Sequence, residues 1–222
     1  GQRVNLISAF EAVGKVQRGQ MSSSELAELE ACACPGAGSC QGMYTANTMA
    51  CVTESIGMSL PGCATALAIS GEKRRIAFNS GERIVGMVRE GLTPRKIMTK
   101  SAFENATRID MALGGSTNTT LHIPAIAYEA GIDLPMAFFD RISRTTPHIC
   151  DMLPGGPHYL EDLDAAGGIP GVLSRFADVL KDAPTVSGRS IRLNAAAGRV
   201  QNDDVIRPLA KAYHRQGGIA VL

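Results

Sequence analysis

Between Cys34 and Met49 the chain reads Cys-Pro-Gly-Ala-Gly-Ser-Cys-Gln-Gly-Met-Tyr-Thr-Ala-Asn-Thr-Met, a glycine-rich loop with two thiols that runs straight into a helix-like segment. Gly36, Gly38 and Gly42 give this stretch little to pack and cost conformational entropy on folding, so core stability is a poor reason for its existence. A permissive backbone beside a soft sulfur donor and a helix start is instead expected to hold a ligand.

The flanking patterns are helical. Val4, Ile7, Phe10, Val13 and Val16 recur at helical spacing up to Gln17, and Ser22-Ser23-Ser24-Glu25 fits a capping box that opens a second helix toward Ala31. Met43 to Ile56 reads as helix stopped at Gly57, with Pro61-Gly62 breaking the chain before Cys63 to Ile69. Glu72 to Glu90 ends at Gly91, and Thr93-Pro94 supplies a cap with proline at the first helical position. Ser101 to Leu113 and Ser116 to Tyr128 read as two helices broken by Gly114-Gly115. Gly131 closes the second, and Pro135 begins a short element. His148 to Leu153 is read as a strand, Leu160 to Leu180 as a helix pair kinked at Gly167-Gly168-Ile169-Pro170, and Ile191 to Leu193 and Ile219 to Leu222 as β elements.

Composition bounds the function. Twenty-two basic against twenty-one acidic residues give a formal charge of +1, which supplies no general attraction to nucleic acid or to an anionic membrane. With 45% apolar residues, 222 residues are ample for a core, so the six cysteines are read as reduced thiols and not as staples. No apolar run approaches the roughly 20 residues of a membrane span and Gly1 to Asn5 is no secretion signal, so the chain is expected to be cytoplasmic.

Three further stretches join the first: Glu54-Ser55-Ile56-Gly57-Met58-Ser59-Leu60-Pro61-Gly62, then Gly114-Gly115-Ser116-Thr117-Asn118 running to His122, then Glu161-Asp162-Leu163-Asp164-Ala165-Ala166-Gly167-Gly168-Ile169-Pro170. In this order, over nearly the whole chain, they resemble the iron–sulfur dehydratase family of dihydroxy-acid, phosphogluconate and sugar-acid dehydratases, and Pro-Gly-Ala-Gly-Ser-Cys leans toward the dihydroxy-acid branch. The resemblance implies an α/β fold class, in which this chain is a mostly helical internal piece. Residues 1–183 would then belong to an N-terminal α/β cluster-binding domain, and 184–222 would lead into a truncated C-terminal β-barrel domain. It also implies a hydro-lyase that takes water from a 2,3-dihydroxy acid to give a 2-oxo acid in branched-chain amino-acid biosynthesis. The cofactors would be an iron–sulfur cluster (2Fe-2S or 4Fe-4S) and Mg²⁺, and the assembly a homodimer.

Carried over residue by residue, the resemblance makes Cys40 one of three thiolate ligands of the cluster, a choice that suits a soft donor. The other two cysteines, the magnesium ligands and the serine base are expected outside the chain, so the piece alone is expected to be inactive and to contain no catalytic residue. Cys34 is placed near the cluster, and Cys32, Cys51, Cys63 and Cys150 are read as packing residues. Ser116, Thr117 and Asn118 stand at a helix start where free amides favour a carboxylate, although a helix break with a serine cap explains them equally well. His122, one turn beyond Asn118, is the weaker substrate candidate. Asp162 and Asp164 resemble paired carboxylates at a spacing that points them apart. Two rivals remain open. Gly38-Ser39-Cys40-Gln41-Gly42 also fits the nucleophile elbow of a thiol hydrolase, which needs a strand before it, and the chain could be a noncatalytic dimerisation piece.

Overall fold

The structure, a computed structural model, describes residues 3–34 and 36–221. Its helices are α1 (Leu6–Gln17), α2 (Ser23–Ala33), α3 (Thr45–Ile56), α4 (Gly71–Glu90), α5 (Pro94–Ile97), α6 (Lys100–Leu113), α7 (Thr119–Glu129), α8 (Met136–Arg144), α9 (Leu160–Ala165), α10 (Gly168–Arg175) and α11 (Ile191–Ala197), with a 3-10 turn at Leu209–Lys211. Among the described residues β pairing is limited to isolated bridges, His148 with His214, Met152 with His158 and Pro184 with Ser190. This piece is therefore mostly helical.

Local chemistry sets the helix ends. Ser22 accepts from the Glu25 amide while Glu25 Oε2 takes the Ser22 amide at 2.8 Å, the expected reciprocal cap of α2. Asn5 and Ser8 form a similar box at the start of α1. Gly57 and Gly114 end α3 and α6 in the left-handed region, with φ of 94° and 62°. Gly167, at φ 125°, separates α9 from α10 as the kinked pair required.

Three expected β segments fail. Ile191 to Leu193 is no strand: Ser190 caps the Leu193 amide, and α11 runs to Ala197 with Ile191, Asn194 and Ala195 turned inward. The alternating apolar pair had the period of a strand, but the serine cap and the alanine run win. His148 to Leu153 holds only single bridges, and Ile219 to Val221 carries no strand; Leu222 lies outside the described residues.

The core forms around α6, whose residues from Ala102 to Leu113 are almost all buried, and α3 packs along it through Cys51, Val52 and Ile56. Phe103, Phe139, Ile109, Ile149 and Leu163 are fully enclosed, each removing surface worth about 2 kcal/mol from water. Ile191, Val205, Ile206 and Ile219 join the same cluster. In contrast α4 buries only Ile76 and Met87 and leaves Phe78, Val85 and Val88 exposed. No described helix is long and apolar enough to cross a membrane.

Candidate functional site

Cys40 is half-buried at the end of the glycine loop. Gln41 then takes a left-handed φ of 67°, uncommon for a residue with a Cβ, and two backbone hydrogen bonds hold the turn: Met43 N donates to Leu153 O at 2.6 Å and Leu160 N to Gln41 O at 2.7 Å. A side chain at Gly42 would stand 2.9 Å from the Tyr44 ring and 3.1 Å from Leu153 O. Asn47, in the first turn of α3 and 4% exposed, fastens the loop from within: Nδ2 donates to Gly42 O at 2.7 Å, and Oδ1 accepts from Ser39 Oγ at 2.5 Å. Nδ2 also approaches Cys40 Sγ at 3.9 Å. The Tyr44 phenol is pushed up from its ordinary value, first by burial and then by the neighbouring Cys40 sulfur.

The second sequence candidate comes to the same helix turn. Ser116 N donates to Thr48 Oγ1 at 3.1 Å, Thr45 Oγ1 and Ser116 Oγ lie 3.4 Å apart, and Asn118 Nδ2 donates to Thr45 Oγ1 at 2.6 Å. The first turn of α3 thus carries the thiol loop through Asn47 and the Gly114–Asn118 turn through Thr45 and Thr48. Ser116 is half-buried, whereas Thr117, Asn118 and His122 are exposed. Among the described residues His122 makes no side-chain hydrogen bond to this group. Sequence reasoning missed Thr45, Asn47 and Thr48; the signal was three polar residues within four positions on a helix with an otherwise buried face.

Behind the turn lies Asp110, fully buried, with no hydrogen-bond partner for either carboxylate oxygen among the described residues. Burial raises its pKa to about 7; Thr119 opposes part of that rise, while its hydroxyl donates to Ser116 O at 2.9 Å. A Cβ on Gly115 would overlap Asp110 Oδ1 and stand 2.6 Å from Thr48 Cγ2, so only glycine lets the turn approach α3 this closely. Glu54 is also buried and raised to about 7, chiefly by desolvation, although it accepts the Gly62 and Ala64 amides at 2.8 Å each.

The remaining candidates separate. Cys34 is exposed at the end of α2, and Cys32 is exposed too, which corrects its reading as a packing residue: it lies on the solvent side of a short, lightly packed helix. Cys63 is half-buried, and Cys51 and Cys150 are fully buried with thiols pushed up by desolvation. All six are free thiols. Asp162 binds Arg3 and the Tyr159 amide, whereas Asp164 accepts from Thr65 Oγ1 at 2.7 Å, so the two carboxylates do point apart. Residues 36–40 are loop after helix α2, which leaves the elbow reading without the strand it needs.

Among the described residues no three His, Cys, Asp or Glu side chains converge as a metal site. Cys40, a half-buried thiol on a loop, is of a donor type that suits an iron–sulfur cluster, and one thiol does not by itself complete such a site.

The site is a single-thiol loop and a polar turn, both seated on the first turn of α3. The chain belongs to the Dihydroxy-acid/6-phosphogluconate dehydratase N-terminal family, which it matches over residues 1–194. It is 58% identical, over its whole length, to the dihydroxy-acid dehydratase of Thermodesulfovibrio yellowstonii, of which it covers 40%. It is likewise 54% identical to that of Methanothermobacter thermautotrophicus, covering 41%, and 53% identical to that of Syntrophotalea carbinolica, covering 40%. The chain thus spans about two fifths of the length of the curated relatives it matches.

Proposed function

We propose that the chain is part of a dihydroxy-acid dehydratase, a hydro-lyase converting a 2,3-dihydroxy acid of the 2,3-dihydroxy-3-methylbutanoate type to a 2-oxo acid in branched-chain amino-acid biosynthesis. The observation that carries this reading is the joint seating of the Cys40 loop and the Gly114–Asn118 turn on the first turn of α3, together with relatives that bear that name along the whole chain.

Cys40 offers one thiolate to an iron–sulfur cluster, which in the whole protein supplies Lewis acidity toward a leaving hydroxyl. The remaining roles belong to this chain's own side chains. Ser116 Oγ and the Asn118 amide present donors to a substrate carboxylate or hydroxyl, and the helix N-terminus behind them favours the negative charge. Thr45 and Thr48 tie these donors to the first turn of α3, the same turn from which Asn47 reaches the Cys40 loop. Mg²⁺ and the remaining cluster ligands lie on segments outside this chain in our reading, so the chain alone is inactive. The whole protein is a cytoplasmic homodimer of α/β parentage.

The test uses the full-length parent, assayed anaerobically with 2,3-dihydroxy-3-methylbutanoate and with 6-phosphogluconate. The proposal expects turnover of the first in preference to the second, and a KM raised about tenfold by Asn118→Ala, as loss of a hydrogen bond to a charged group implies. Preference for the phosphorylated acid would overturn the substrate, and unchanged KM would remove Asn118 from the site.

A further inference from the structure

The Cys40 loop has no regular structure of its own; backbone bonds to Leu153 and Leu160 hold its far end, and one side chain reaches the residues on both sides of the sulfur. Asn47 touches three of the four residues around the sulfur. It accepts from Ser39 Oγ at 2.5 Å, donates to Gly42 O at 2.7 Å and turns its remaining N–H toward Cys40 Sγ at 3.9 Å. It is 4% exposed, and its bond to Gly42 O is fully buried, so that bond does not compete with bulk water. Tyr44, the residue at the N-cap of α3, makes no side-chain cap. The usual place for a polar side chain at a helix start is thus left unused, and the polar group appears three residues later, aimed at the loop and away from the helix amides. Between Cys40 and Gly42 the chain passes through the left-handed Gln41, a conformation of modest cost that persists only where surroundings enforce it. The Asn47 bond to Gly42 O is one such restraint.

We propose that Asn47 is the positioning residue of the Cys40 sulfur: its carboxamide fixes the 39–42 loop and directs one N–H at Sγ, so that it sets both where the sulfur points and how much electron density it offers. The inference rests on reading Cys40 as a metal-cluster thiolate and adds a named residue that supports and tunes it. Hydrogen bonds to ligating sulfurs are among the levers by which a protein sets cluster potential, and loss of an outer partner typically costs 10–100-fold in metal affinity. Asn47 touches no substrate in this account; it acts through Cys40.

The test is carried out on the metal-free full-length protein, with iodoacetamide as probe and mass spectrometry of each cysteine peptide as readout. The Cys40 alkylation rate is followed from about pH 6 to about pH 10, the range in which thiols titrate. The midpoint of the profile reports stabilisation of the thiolate, and the plateau reports access. Asn47→Asp keeps the shape, removes both N–H donors and adds a negative charge beside the sulfur, so the midpoint is expected to rise by about one pH unit. Asn47→Ala is expected to raise it by less. A residue that merely packs would change the plateau and leave the midpoint where it is, and an unmoved midpoint in Asn47→Asp overturns the proposal. Exposed Cys32 and Cys34 serve as internal references, and buried Cys51 and Cys150 report unfolding by becoming reactive. Should both Asn47 variants expose them, Ser39→Ala decides. Ser39 is exposed, and its loss frees one end of the carboxamide, so the midpoint must move up, by less than in Asn47→Ala, or the proposal falls.

Failure here and failure of the cluster reading are distinguishable. A full-length Cys40→Ser protein that keeps its cluster would refute the ligand role while leaving the Asn47 to Cys40 coupling measurable. A normal cluster loss in Cys40→Ser with an unmoved midpoint would refute the coupling alone.

Discussion

Asp110 is the group whose removal should be felt most clearly. Its carboxylate is fully buried with no partner among the described residues, and its pKa rises from the ordinary 3.8 to about 7. The folded chain therefore keeps a proton up to about pH 7 that the unfolded chain releases from about pH 4, so folding stability falls as pH climbs through that window and levels off above it. At about 1.4 kcal/mol per pH unit the gap caps the penalty at ~4 kcal/mol. The side chain introduced by Asp110→Asn cannot ionise, which removes this penalty, but it brings an amide with no partner, a pH-independent cost of ~1–3 kcal/mol. The variant should thus be less stable than the wild type near pH 4 and more stable near pH 8, with the curves crossing between. Urea unfolding midpoints of both proteins across that range give the answer. A difference that stays constant with pH would refute the reasoning and mean that Asp110 is ionised and paired in the folded state. Glu54, also near 7, adds a slope of the same sign to both proteins and drops out of the comparison.

Other predictions rest on neighbouring geometry. Gly115→Ala should cost ~1–3 kcal/mol of overpacking, read as a lower urea midpoint, because its Cβ meets Asp110 and Thr48. The His148 and His214 rings lie within 4° of parallel with Nδ1 atoms 3.1 Å apart, which fits one shared N–H and no second proton between them. Burial, then the neighbouring His214, lowers the His148 pKa; the folded state therefore binds fewer protons below about pH 6.5, and stability held above that value is lost as pH falls. Amide protection at Tyr213, which donates to His148 O, should accordingly drop between about pH 7 and about pH 5 in the wild type, and by less in His214→Ala, where the proton-sharing partner is gone.

Much of the helical frame was legible because its signals are local. The Ser22 to Glu25 box, the stops at Gly57, Gly91 and Gly114, and the break at Gly167 each act within a few residues. The misread segment at Ile191 to Leu193 shows the limit: two apolar residues two apart carry the period of a strand, and only the Ser190 cap and the following alanines reveal the helix. The site was half legible. Cys40 and Ser116 to Asn118 stand out as residue types, but nothing local says that they meet, since the bond that joins their supports spans 71 positions, from Thr45 to Ser116. Asp110 was invisible for a related reason. On α6 it lies among residues that suit an exposed helix face as well as a buried one, and its burial depends on α3 and the Gly115 turn closing over it.

The most direct test of the central claim is visible absorption after anaerobic reconstitution with iron and sulfide, comparing full-length protein, its Cys40→Ser variant and the 222-residue chain. The account predicts sulfide-to-iron absorption in the full-length protein, its loss in Cys40→Ser, and none in the chain alone. A full-length Cys40→Ser protein that retains its cluster would contradict it.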